Sequence, residues 1–512
     1  MQHKTFPAPV RGWIANENLA AAQPGGAVVF ENWVATSTSV RPRGGSLKYA
    51  TISSGPVLRM WSFKSGQVEE FFASDETKIF NITTVADPDV IPTPVVTGQT
   101  SGYYSIAQMS NAANASYMSV VNGTETPKLY DGTTWADHAF TGLATPQDLS
   151  FVWSFASRLM YIRKNTMSIY YLPVDSINGV LTEFSLAGIF QQGGSLLFGG
   201  KWSLDSGDGL DDKCVFVSTE GEVAVYQGTN PSSAADWQKV GVYKITAPMG
   251  ANATMQAGGD LLIATEDGIV PISAAVNKDI AALSLAAVSA NIEPEWKKEV
   301  VNRKSLPWEI IKWPTNNMMV VSLPAVADSL PPKCFAANLE TGAWHGPFTG
   351  WDTRCIAHFA DQGYFGTNSG TIHAMELTGS DDGENYVAAL VCSPDHMDSP
   401  GVTKTVHQAR CIFKSNVPIN PKISASVNYS TDLPTAPSSI ADFAADVWDV
   451  GLWDTALWDG GTATNISTQW VSIGKTGFSV SPQVQITCGI TPKPVTELIA
   501  FDMLFENGAV MV

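Results

Sequence analysis

Val215-Phe216-Val217-Ser218-Thr219-Glu220-Gly221-Glu222-Val223-Ala224-Val225-Tyr226 is the stretch from which the fold can be read. Two apolar strands flank a short polar turn, and its glycine supplies the positive φ that a tight hairpin requires. The same unit recurs at residues 71–82, 159–171, 261–270 and 364–373. A related form sets a Trp behind the turn, at residues 129–135 and 338–344. Anchoring on Ile79, Leu129, Ile169, Val223 and Ile269 gives intervals of 50, 40, 54 and 46 residues. Those intervals suit four-stranded propeller blades. A hairpin with one apolar face must bury it against a neighbour, which radial stacking achieves. The period predicts an all-β chain with a β-propeller of six or seven blades over residues 45–375. A β-sandwich or a string of small β domains would also show hairpins, but explains the period less well.

Three regions depart from the repeat. Residues 1–44 are rich in Pro and Gly, with a short helical stretch near Asn18–Ala22, and read as an N-terminal arm. Residues 278–302 read as a helical insertion, with Ile280, Leu283, Ala287 and Ile292 on one face and Trp296 beyond Pro294. Residues 376–512 read as a C-terminal β module, with strands near 409–413, 422–429, 470–473, 483–487 and 498–505.

The 512-residue chain has 44% hydrophobic and only 15% charged residues, enough to bury a core while leaving a surface sparse in charge. Thirty basic and 48 acidic residues give a net charge of −18. A protein that grips nucleic acid gains affinity by neutralising phosphates, so this sign argues against one. No run approaches the 18 apolar residues of a membrane span, and the N-terminal residues lack the apolar core of a secretory signal. Six cysteines without a CxxC pair read as scattered, half-buried thiols.

Chemical motifs are few. Residues 194–202 are too short between glycines for a phosphate loop, have Trp202 where Ser or Thr must hold magnesium, and are strand-like. The seven histidines form no HExxH, and no GxSxG elbow occurs. Asp205, Asp208, Asp211 and Asp212 lie in a glycine-containing run whose oxygens would suit calcium, though the spacing is not that of an EF-hand and a solvated acidic loop is the plainer reading. A propeller glycosidase would need paired carboxylates, and one for acidic sugars usually an arginine cluster; only nine arginines occur, at no repeated hairpin position. The expectation is a protein that is not an enzyme and requires no cofactor.

Three passages carry a family resemblance. The first runs Pro7-Ala8-Pro9-Val10-Arg11-Gly12-Trp13, Asn18-Leu19-Ala20, Val28-Val29-Phe30-Glu31-Asn32-Trp33 and Val40-Arg41-Pro42-Arg43-Gly44-Gly45. The second is Val121-Asn122-Gly123-Thr124-Glu125-Thr126-Pro127-Lys128-Leu129-Tyr130-Asp131-Gly132, and the third spans residues 447–461, with Trp448, Trp453 and Trp458 each followed by Asp. In this order, over nearly the whole chain, they resemble the tail nozzle or hub proteins of short-tailed bacteriophages, also called packaged-DNA stabilisation proteins. The resemblance implies a structural virion protein assembled in the bacterial host cytoplasm. Its ring, expected to be a homohexamer, would sit below the portal and the head-to-tail adaptor ring, meet tail fibre, spike or needle proteins, and retain and conduct double-stranded DNA without a membrane anchor. An acidic or neutral lumen would let the duplex pass without sticking. The alternative is a carbohydrate- or receptor-binding propeller, such as a tail spike or lectin, with aromatics on repeated loops; Trp135 and Trp344 are the candidates, though blade-core positions suit them as well. Trp448, Trp453 and Trp458 are spaced five and five, matching neither a helix nor a strand, and are expected to anchor assembly or the distal tip, the alternative being that all three rings fold back onto their own C-terminal module.

Overall fold

The computed structural model describes all residues except 16–17, 23, 204–211, 326–329, 417–418, 440–464, 468, 494 and 509–512. Seven antiparallel sheets follow one another along the chain. Their first strands are Arg59–Ser65, Ser105–Ser110, Leu149–Phe155, Leu196–Ser203, Thr254–Ala257, Ile310–Trp313 and Cys355–Phe359. Neighbouring blades pack through these strands, and Cys355–Phe359 of blade 7 packs on Arg59–Ser65 of blade 1, closing the circle. The fold is therefore a seven-bladed β-propeller. Ile79, Leu129, Ile169, Val223 and Ile269 all fall on the third strand of blades 1 to 5, so the intervals in the sequence measure the step from blade to blade.

The fourth strand of blade 7 comes from the other end of the propeller. Gly45–Thr51 pairs antiparallel with Thr371–Gly379, so the segment entering blade 1 also completes blade 7. Blade 5 has only three strands. A broken helical insertion follows the third, comprising Ile272–Asn277, Leu283–Ala286 and Glu293–Arg303 with 3-10 turns between them. The expected single apolar face is only partly realised. Leu283, Ala287 and Ile292 are buried but Ile280 is 39% exposed, and the segment is not one helix, since Lys278 and Ala287 both adopt an extended backbone.

Residues 1–44 are not an arm. Gln2–Pro7, Trp33–Ala35 and Val40–Pro42 join a sheet built on Thr496–Asn507 and Lys404–Ser415, and Ala27–Glu31 joins a second sheet with Tyr386–Cys392, Val480–Cys488 and Lys422–Val427. Pro and Gly mark the bends between short strands; the backbone groups of Gln2–Pro7 and Ala27–Glu31 are satisfied by partners some 350 to 500 residues away, while Trp33–Ala35 and Val40–Pro42 pair with each other. The C-terminal module is thus a two-sheet sandwich made from both ends of the chain. Its core, including Phe30, Leu390, Phe413, Val484 and Phe501, runs on into Trp296, Trp308, Phe335 and Trp344 of the insertion and blade 6.

Two hairpins place non-glycine residues in the left-handed region at both turn positions: Ala156 and Ser157 (φ 47° and 55°) and Ala360 and Asp361 (φ 46° and 62°). A Cβ is unfavourable there, whereas glycine has none. Ala156→Gly and Ala360→Gly are each expected to stabilise the chain by about 0.5–1 kcal/mol after the added unfolded-state entropy is counted. Urea midpoints unchanged or lowered in both variants would contradict this.

Candidate functional site

The chain passes from the sandwich into the propeller at Gly44-Gly45 and returns after Glu376, and a buried ionic clasp holds both crossings. Arg43, 1% exposed, lies between the rings of Tyr386 and Trp351, with its guanidinium carbon 3.9 and 4.5 Å from their centroids. Its Nε donates to Asn32 Oδ1 (2.8 Å), its Nη1 to Gly44 O and Asp381 Oδ1 (both 2.9 Å), and its Nη2 to Thr349 O (2.7 Å) and Asp381 Oδ2 (2.6 Å). All five guanidinium donors are used. Burial works against this charge, but Asp381 outweighs it and holds the group above its ordinary pKa. Tyr386 Oη donates to Arg43 O, and Trp351 Nε1 donates to Asp381 Oδ1 (2.9 Å).

Glu376 forms the second half of the clasp. Its carboxylate meets Arg41 Nη1 (2.9 Å) and Lys493 Nζ (2.7 Å) and accepts from Gly44 N (2.8 Å). Burial alone would raise its pKa; the two cations and the hydrogen bonds prevail and lower it to about 2. A Cβ at Gly45 would stand 1.9 Å from Ser380 O, and one at Gly44 would stand 2.8 Å from Glu376 Cα, so only glycine lets the strands pass. The clasp binds the modules together and is chemically saturated.

A second set of charges lies where first strands begin around the propeller axis. Arg59 Nη1 meets Glu309 Oε1 (2.5 Å), whose Oε2 accepts from Ile356 N (3.0 Å), and Arg354 Nη2 meets Tyr103 Oη. These contacts stitch blades 6, 7, 1 and 2 across the seam where the circle closes. On the helical insertion, Glu299 pairs with Arg303 and Lys333 (both 2.6 Å), anchoring the last helix to blade 6.

The residues singled out in the sequence are placed as follows. Trp448, Trp453 and Trp458, and Asp205, Asp208 and Asp211, lie outside the described residues. Asp212 opens the second strand of blade 4 and pairs with Lys201 (2.6 Å). Among the described residues, no three His, Cys, Asp or Glu side chains gather as a metal site. Residues 196–202 lie in the first strand of blade 4, in keeping with the rejection of a phosphate loop. Trp135 is half-buried against Phe72 and Tyr130, and Trp344 is wholly buried with its Nε1 donating to Val288 O (2.9 Å), so both are packing residues. All six cysteines are free and buried; burial pushes the Cys334 thiol up to about 12 and Cys488 to about 11, which keeps them unreactive. The clasp escaped the sequence reading, although its residues Arg41, Arg43, Gly44 and Gly45 stand together in a quoted motif.

Two open cavities of about 320 and 400 Å³ flank the N-terminal strands. The first is lined by Phe6, Gly26, Ser393 and His396 and the second by Trp13, Val28, Phe30 and Glu295. No family model matches the chain, and no curated protein does. Among solved structures, YCF48 bound to a D1 peptide is 13% identical and covers 68% of this chain and 96% of its own (TM-score 0.36). The WD40 propeller domain of Doa1 is 10% identical, with coverage of 65% and 97% (TM-score 0.39). The propeller domain of Myceliophteria thermophila Cps50 (Swd1) is 12% identical, with coverage of 65% and 100% (TM-score 0.40). The propeller assignment rests on the sheet order and closure described above.

Proposed function

We propose that this chain is a structural virion protein of a short-tailed bacteriophage, the tail nozzle or hub. It would form a ring, expected to be a homohexamer, that continues the DNA channel below the portal and adaptor. The observation that carries this reading is the order of the three motif passages along nearly the whole chain. Low charge density is consistent with it, since the cores of subunit interfaces are depleted in charge and enriched in aromatics. The net charge of −18 suits a conduit past which DNA slides. The role requires no catalytic group or cofactor. In this reading Trp448, Trp453 and Trp458 pack between subunits or at the distal tip.

The expected particle has six times the 54.7 kDa mass of the chain and appears as a ring in electron micrographs. Replacing Trp448, Trp453 and Trp458 together by Ala is expected to leave a folded monomer that does not form rings. A strictly monomeric wild-type protein at micromolar concentration, in the presence of its adaptor, would remove the ring reading. Rings of full stability in the triple variant would remove the role given to the tryptophans.

A further inference from the structure

The side-chain amide of an asparagine can be attacked by the backbone nitrogen of the next residue, and a glycine there has no Cβ to crowd the attack. The chain has three such pairs: Asn122-Gly123, Asn178-Gly179 and Asn507-Gly508. The fold holds two of them. Asn122 donates from Nδ2 to Ser101 O (2.8 Å) and to Glu125, and its Oδ1 accepts from Thr124 N and Glu125 N (both 3.1 Å). The attacking atom is held as well, since Gly123 N donates to Leu149 O (2.8 Å). In the third pair Gly508 N donates to Thr403 O (2.7 Å), and Asn507 Nδ2 reaches Gln2 Oε1 at 3.4 Å.

Asn178-Gly179 differs. It lies between the third and fourth strands of blade 3, Ser168–Tyr171 and Thr182–Ser185. The chain is pinned on either side of it: Ile177 O lies 2.6 Å from His138 Nε2, and Leu181 N donates to Thr141 O (2.8 Å). Asn178 itself is exposed, and among the described residues its side chain has no hydrogen-bond partner. Gly179 pairs with Phe140 in a two-residue parallel ladder, where its carbonyl accepts from Thr141 Oγ1 (3.3 Å). Its N–H makes no bond to Ala139 O, the rung at which the ladder would continue. Its φ is 136°, and the space a Cβ would occupy is open. Amide and nucleophile are therefore both unheld at this pair alone.

We propose that Asn178-Gly179 is a site of spontaneous deamidation, with water as the second reactant. Gly179 N loses its proton to base and attacks Asn178 Cγ; the new bond closes a five-membered succinimide as the Cγ–Nδ2 bond breaks and ammonia leaves. Water then opens the ring, at Cγ to give aspartate or at the main-chain carbonyl to give isoaspartate. Both products add a negative charge to an exposed turn. Isoaspartate also inserts a methylene into the main chain between the His138–Ile177 link and the Gly179–Phe140 pair, which tie blade 3 to the segment arriving from blade 2. The test incubates the full-length chain at pH 7 and pH 9, in buffer and in guanidinium chloride, and maps its peptides by mass spectrometry over time. In the folded chain Asn178 is expected to convert about fivefold or more faster than Asn507, and faster still than Asn122, since one net hydrogen bond that must open first costs a factor of about five. In denaturant the three rates should converge. Conversion should be faster at pH 9, products formed in heavy-oxygen water should carry one solvent oxygen, and N178Q should abolish conversion at 178. The proposal is overturned if Asn178 converts no faster than Asn507 in the folded chain, or if its lead persists in denaturant, where only flanking sequence could cause it. None of these outcomes depends on ring assembly, so failure here leaves the virion role standing.

Discussion

Arg43→Ala is expected to cost about 3–5 kcal/mol of stability, the penalty for leaving a buried partner charge without its counterion. The change takes the counterion from Asp381, whose carboxylate keeps the Trp351 indole and the Ser46 amide and hydroxyl as donors. It also leaves Asn32 Oδ1, Gly44 O and Thr349 O without their guanidinium donors and empties the slot between Tyr386 and Trp351. Arg43→Lys should recover little, because one ammonium cannot satisfy acceptors spread around a planar fork. The double change Arg43→Ala/Asp381→Ala should cost clearly less than the sum of the two single changes, since each single change already breaks the same pair. Urea denaturation of the four proteins checks this. A loss below about 0.5 kcal/mol in Arg43→Ala, the range of ordinary surface changes, would show that the clasp does not hold the modules together.

Acid should destabilise the chain well before its carboxylates titrate. His345 is 1% exposed, its Nδ1 accepts from Ala35 N (3.2 Å), and burial foremost, with Arg41 nearby, lowers its pKa to about 3. His138 is 2% exposed and lies between Ser119 Oγ (3.0 Å) and Ile177 O (2.6 Å); burial lowers its pKa to about 4, despite the carbonyl that favours its protonated form. Both are neutral in the folded chain and take up a proton on unfolding below their ordinary value of about 6.5. The unfolded state therefore binds more protons, and stability falls as pH drops from about 6.5 toward the folded values. Two such groups cost about 3 kcal/mol between pH 6.5 and pH 5. Glu376 acts in a lower window: its contribution is complete above about pH 4.5 and is lost as pH falls toward 2, a further loss of about 3 kcal/mol. Equilibrium unfolding at pH 7, 6 and 5 should show the first slope, and His138→Gln/His345→Asn should flatten it. Equal wild-type stability at pH 7 and pH 5 would refute the account.

The propeller was legible because its signal is local. Each second and third strand meet across a short turn, so a window of twelve residues such as 215–226 contains the whole motif, and repetition supplies the period. Blade 6 showed only in the Trp form at residues 338–344, because residues 323–332, with three prolines, separate its second and third strands. The strands of the sandwich after residue 400 were found by their alternation, but the N-terminal ones were not. Trp33–Ala35 and Val40–Pro42 are three residues each, too short to show a period; they pair with each other, and Val40 joins them to the sheet through Leu498. The clasp was illegible for a related reason. Arg43 and Asp381 are 338 positions apart, and nothing near either residue announces the other.

The pairing of Gln2–Pro7 with residues from Ala500 to Phe505 also sets a schedule for synthesis. The ribosome emits the first strand hundreds of residues before its partner, and at roughly 5–20 residues per second that delay is on the order of a minute. Throughout it, blades can form one after another, and blade 7 can close on residues 45–51 already made, while the leading strands wait with unpaired edges. The nascent chain thus carries a nearly finished propeller and an aggregation-prone leader together. Its dependence on holding chaperones should be greatest just before residues 496–507 are made, and slowing the codons of that strand should lower the soluble yield more than slowing those of any single blade.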